Sequence, residues 1–191
     1  MARVKGLSNI SFAPLLTDVA GGTATYSPVI KCERSIKAKV TPKSNSEKTY
    51  SDDAVEDILT QFDSVEVEIE LNNLSLATRA LLLGSKIIKG NLIENKDDIS
   101  PFVAMIFKGK MTDGKYRYVC LYKGKFELAG DEYDTDGEKI KTQTGTLKAT
   151  FVARECDGNY KTIADESITV GATKVDLEKW FVTVPPIPTA V

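Results

Sequence analysis

The sequence predicts a mainly β domain: an antiparallel sandwich or barrel-like sheet with a flanking α-helix, a short C-terminal helix and a long early loop between strands. Three observations carry this. SVEVEIEL (64–71) alternates without a break, with Val65, Val67, Ile69 and Leu71 on one face and Glu66, Glu68 and Glu70 on the other. That is the period of two of a half-buried strand. PFVAMIF (101–107) and YRYVCLY (116–122) are apolar or aromatic on both faces and so need cover on both sides. Finally, Asp113-Gly114 and Asp157-Gly158 break the pattern where hairpin turns would fall.

Taken in order, SIKAKV (35–40) alternates with Ile36, Ala38 and Val40 inward and Lys37 and Lys39 outward. Its lysines could pair with the glutamates of 64–71 if the two strands are antiparallel neighbours. Between them, the stretch VTPKSNSEKTYSDD holds only Val40 and Tyr50 as apolar or aromatic side chains. Residues 41–63 read as a long polar loop. LSLATRALLLG follows, with Ser75 placed to cap a helix and Gly84 to stop it. Leu74, Ala77 and Leu81 share a face that Leu82 and Leu83 widen, so the helix should be mostly buried. The apolar pair 101–107 and 116–122 turns around KGKMTDGK, and GTLKATFVARE (145–155) meets YKTIA (160–164) across CDGN. TKVDLEKWFV puts Leu177, Trp180 and Phe181 at helical spacing, and VPPIPTAV must be extended. One domain over 1–184 is expected, with an extended tail over 185–191.

Composition removes several function classes. With 42% hydrophobic and 27% charged residues, the 191-residue chain is globular rather than disordered. A net charge of −2 with no basic block lacks the footprint of a protein that grips nucleic acid. There is no histidine, which excludes histidine-based triads and removes the commonest metal ligand. Cys32, Cys120 and Cys156 form no CxxC pair and read as small hydrophobes in a reducing compartment. No signal-peptide core opens the chain, and no apolar run approaches the roughly 18 residues of a membrane span.

EYDTDG (132–137) imitates half a calcium loop through Asp134, Asp136 and Gly137. Glu132 and Gln143, however, stand where the loop needs an aspartate and a bidentate glutamate, so an acidic turn is the better reading. Asp52, Asp53, Glu56 and Asp57 read as a solvated acidic face, and Gly21-Gly22 as a simple turn. Tyr116, Tyr118 and Tyr122 share a strand face with Cys120 and belong to a core rather than a base-stacking platform. No cofactor, no metal and no enzymatic centre is expected. The glutamate row admits two readings, a water-facing surface or one that repels a polyanion.

VTPKSNSEKTYSDD, VEVEIELNNLSLATRALLLG, KYRYVCLYKGKFE with its following acidic turn, and TGTLKATFVARECDGNYK together resemble the major tail protein, or tail tube protein, family of long-tailed bacteriophages (siphophages) of mainly Gram-positive hosts. The likeness covers residues 4–181; only VTVPPIPTAV has no counterpart. The resemblance implies hexameric rings that stack into a hollow tube, through which genomic DNA passes during ejection. It implies a virion tail protein made in the bacterial host cytoplasm, with no membrane role. Its partners would be itself and the tail-tip initiator, length-setting and tail-terminator proteins. DNA would transit without specific binding.

In relatives the long loop reaches the adjacent ring, which makes Lys43, Ser44, Asn45, Ser46, Glu47, Lys48, Tyr50, Asp52 and Asp53 the inter-ring candidates. Glu66, Glu68 and Glu70 are the lumen-lining candidates, because carboxylates repel phosphates. The alternative is a β-sandwich binding module for carbohydrate or a protein partner. That would explain the fold and the missing catalytic groups, but not the long polar segment.

Overall fold

Alternation becomes strand wherever one face is buried, and one long polar stretch becomes strand without it. The computed structural model describes residues 2–51, 54–128, 130, 145–167 and 174–188, with side chains omitted at 49–51, 54–57 and 174–175. Asp52, Asp53 and the 132–137 acidic turn lie outside the described residues. The strands are β1 (Val4–Thr17), β2 (Thr25–Tyr26), β3 (Ile30–Lys31), β4 (Ser35–Ser51) and β5 (Ala54–Leu71). After helix α1 (Leu76–Leu83) come β6 (Lys86–Ile88), β7 (Asn91–Ile93), β8 (Val103–Met111), β9 (Tyr116–Phe126), β10 (Gly145–Val152) and β11 (Lys161–Asp165). Helix α2 (Lys174–Glu178) runs into a 3-10 turn, Lys179–Phe181.

The main sheet is antiparallel in the order β2-β1-β8-β9-β10-β5-β4, with β3 beside β1 and β11 beside β9; β6 and β7 form a separate ribbon. The sheet curls until Cα atoms of β1 and β4 come within 8 Å, but no ladder joins them among the described residues, so the barrel stays open. Inside the curl, Val65, Val67, Ile69 and Leu71 of β5 meet Leu147, Ala149 and Phe151 of β10, with Phe12, Met105 and Leu121 opposite. Phe12 and Phe126 pack edge to face at 5.3 Å and Phe126 and Phe151 at 6.4 Å, pairs worth about 1 kcal/mol each beyond their area. Gly124 lets this happen: a Cβ there would sit 2.5 Å from the Phe151 ring.

Helix α1 closes one end of the core with Leu82 and Leu83. The Ser75 hydroxyl accepts from the Thr78 amide at 3.2 Å, and Gly84, at φ 77°, ends the helix in the left-handed region. The predicted apolar face is narrower than expected. Thr78, Leu82 and Leu83 are buried, Leu74 and Leu81 half-buried, and Ala77 exposed.

β8 and β9 are apolar on both faces, and the chain covers the second face itself. Trp180, Phe181, Val184 and Ile187 pack on Ile106, Cys120 and Tyr122. Lys108 fastens this cover, its Nζ lying 5.5 Å from the Phe181 ring centre and 3.8 Å from Glu178. The C-terminal segment is thus the missing outer layer, a task its sequence did not disclose.

Three expectations need correction. Residues 41–63 are not a loop: β4 and β5 remain hydrogen-bonded from Ser35–Leu71 to Ser51–Ala54, a hairpin almost to its tip. Ile36 does not point inward, because a register shift between Ser35 and Lys37 turns it out to 51% exposure. β10 and β11 do not form a hairpin. Both pair with β9, at 123–126 and 117–121 respectively, and so follow one another along its edge with 153–160 looping out between them.

Candidate functional site

The extended β4–β5 hairpin is the first candidate element. β10 supports β5 only from Val65 to Leu71, so the eleven residues from Ala54 to Ser64 pair with β4 alone. At about 3.3 Å per residue this arm reaches about 35 Å beyond the sheet. Its base is held by Phe62, stacked on Tyr160 at 4.2 Å. Beyond Phe62, Ser44, Asn45, Ser46, Glu47 and Lys48 on one leg are exposed, as are Ile58, Leu59, Thr60 and Gln61 on the other. The structure therefore groups the described inter-ring candidates on one leg, with Tyr50 at the register opposite Val55. Sequence reasoning missed Ile58 and Leu59, although two adjacent apolar residues in a polar stretch were visible. Two-stranded ribbons are marginal alone in water, and this one exposes an isoleucine and a leucine.

The loop at 153–160, which carries Tyr160, is itself clamped. Lys123 Nζ donates to Asp18 Oδ2 at 2.8 Å and to Glu155 Oε1 at 2.9 Å. The backbone N–H groups of Glu155 and Cys156 donate to the Asp18 carboxylate at 2.9 and 3.0 Å. Burial alone would raise the Asp18 pKa, but these hydrogen bonds outweigh it and hold the carboxyl at about 2. Next to this clamp, Arg154 pairs with Asp157, lies 3.8 Å from the Tyr122 ring centre and donates to Tyr26 Oη at 3.4 Å. None of this was visible in sequence, since Asp18 and Lys123 are far apart along the chain.

The glutamate row is the second candidate element, and its surroundings differ from a bare acidic stripe. Glu70 lies at the register of Lys37 on β4 and Thr146 on β10. Glu68 lies between Lys39 and Lys148, and Glu66 between Thr41 and Thr150. Lys43 Nζ reaches Glu66 Oε2 at 3.2 Å. Every glutamate therefore has a lysine or threonine on each side, and Glu68 lies between two lysines.

Neither element has catalytic geometry. Among the described residues no three His, Cys, Asp or Glu side chains converge as metal ligands. Burial pushes the Cys32 thiol up to about 12 and the Cys120 thiol higher still, away from reactivity. A cleft of about 510 Å³ between β11 and the C-terminal segment is lined by Ile163, Leu177, Trp180 and prolines. Its two carboxylates are already engaged, Asp165 by Arg117 at 2.6 Å and Asp176 by Lys179 at 2.8 Å.

The sequence profile of the phage tail tube proteins matches residues 38–177, from the first leg of the arm to α2. No curated protein matched the sequence. With most of its length inside that profile, and an open antiparallel sheet bearing a projecting arm, the chain belongs to the phage tail tube protein family.

Proposed function

We propose that this tail component forms hexameric rings that stack into the tube, with the β4–β5 arm crossing from each ring to the next. The observation that carries this is the arm itself. Eleven residues of β5 leave the sheet with one neighbouring strand and with Leu59 at 60% exposure. Polarity keeps the arm soluble before assembly, and its exposed apolar pair gives it something to bury afterwards. Tail-tip initiator, length-setting and terminator proteins would act on the ends of such a stack, made in the host cytoplasm.

The β5 glutamate face is the proposed lumen lining, and the flanking lysines refine how it would work. DNA gains affinity wherever a lysine replaces counterions on a phosphate. Here Lys37, Lys39, Lys43 and Lys148 already sit beside carboxylates. A phosphate would have to displace a glutamate to reach them, so DNA slides past without being held. The conduit is passive.

The test is to shorten both legs together, joining Asn45 to Gln61 through an Asn-Gly turn, because these residues face each other in the ladder. Electron microscopy and light scattering should show folded protein that no longer stacks. Tubes of normal length from the shortened chain would overturn the arm's assigned role.

A further inference from the structure

We infer that the surface receiving the arm is the β6–β7 ribbon of a second copy of this chain; the inference rests on the arm reading above and names its partner. Topology sets the geometry. β5 runs from the arm tip at Ala54 down to Leu71, beyond which Leu74 lies against Gly145 and Thr78 Oγ1 donates to Glu33 at 2.8 Å, so α1 sits at the end of β5 away from the arm tip. The Arg79–Glu94 pair ties the ribbon to that helix. One copy thus carries the arm at one end and the ribbon at the other, the arrangement of a head-to-tail contact that propagates.

The ribbon is built as a platform. Among the described residues it pairs with no other strand, yet it is not loose: β6 lies next to α1, and Arg79 Nε holds Glu94 at 2.7 Å just past β7. Its ladder sets Lys86 opposite Ile93 and Ile88 opposite Asn91, so Ile88 and Ile93 share one face. Ile87, Ile88, Ile93 and the neighbouring Ile99 are between 45% and 76% exposed. Three isoleucines on so small an element, two of them on one face and with no described segment covering them, are a surface waiting for apolar contact.

Charge selects the occupant. Residues 43–63 of the arm contain six carboxylates and two lysines, whereas ribbon residues 86–93 contain two lysines and no carboxylate. An acidic arm with Ile58 and Leu59 among its exposed residues therefore complements a basic ribbon with exposed isoleucines.

A cysteine pair tests the contact directly. Leu59→Cys and Ile88→Cys lie at opposite ends of one chain, so a disulfide between them can only join two copies, and the native cysteines are buried or half-buried. In assembled tubes, mild oxidation of the double variant should give a ladder of covalent multimers that neither single variant gives. In parallel, Ile88→Asp with Ile93→Asp should leave the circular dichroism unchanged, since both side chains are exposed. It should raise the concentration needed for tube growth by about tenfold or more, the effect of a carboxylate forced into an apolar contact.

Three results would overturn the inference. They are normal tubes from the aspartate variant, no ladder from the cysteine pair, or a ladder from Leu59→Cys alone. If those occur while the arm-shortened chain still fails to stack, the arm has a different receiver. If the arm-shortened chain stacks normally, the arm reading itself falls.

Discussion

Asp18→Asn should weaken the fold at neutral pH and cease to matter in acid. The side chains of Asp18 and Lys123 are 4% and 7% exposed, so solvent screens their pairing little. Although burial opposes it, the hydrogen bonds from Glu155, Lys123 and Cys156 bring the Asp18 pKa from 3.8 to about 2. At 1.36 kcal/mol per pH unit, ionised Asp18 contributes about 2 kcal/mol of stability. The folded value lies below the unfolded one, so this contribution is present in full above about pH 5 and disappears as the pH falls towards 2. Urea unfolding of wild type and variant from pH 7 to pH 3 measures it. With a slope of about 2 kcal/mol per molar urea, the midpoints should differ by about 1 M at pH 7 and draw together in acid. A gap that stays constant over this range would show that the variant acts through packing, not charge. The consequence reaches the arm, because the loop that Asp18 clamps carries Tyr160, against which Phe62 stacks.

Other perturbations separate core, cover and conduit. Gly124→Ala should lower the melting midpoint with a cost of about 1–3 kcal/mol, because the new methyl meets the Phe151 ring; a neutral result would mean that β9 and Phe151 move apart freely. Ending the chain after Phe181 should expose Ile106 and Tyr122 enough to bind a hydrophobic dye, and unchanged fluorescence would show that Val184 and Ile187 cover nothing essential. Replacing Glu66, Glu68 and Glu70 together by Gln should leave tubes intact but free the flanking lysines. Filter binding should then detect DNA on the tubes with a log-log salt slope steeper by about −1 for each lysine released, and DNA indifference at low salt would sink the conduit mechanism.

Side-chain pattern reports burial, and the fold was legible wherever burial is one-sided. β5 below Ser64 shows its inner and outer faces as valine and glutamate, and α1 shows both caps in Ser75 and Gly84. The Asp113-Gly114 turn and the doubly apolar β8 and β9 were equally plain, though not what covers them. The partners that complete each site were hidden for a different reason. That Lys148 flanks Glu68 depends on β10 lying beside β5, and the Asp18 clamp depends on β1 lying across the sheet from the 153–160 loop. Strand order is a property of the whole chain, and no local period encodes it.

The arm was misread for a reason that also bears on its use. Above Phe62 the described side chains of the β4–β5 ladder, at 44–48 and 58–61, are all exposed, so no selection for inward and outward residues leaves an alternation to detect there. The ladder there forms through backbone N–H and C=O groups alone, which serine, asparagine and lysine satisfy as well as valine does. In the proposed tube, the exposed side chains at 44–48 and 58–61 are what another copy of the chain would bury. The absence of pattern from 44 to 61, which reads as the mark of a loop, is what a ladder held by its backbone should show, and it is what the proposed inter-ring arm requires.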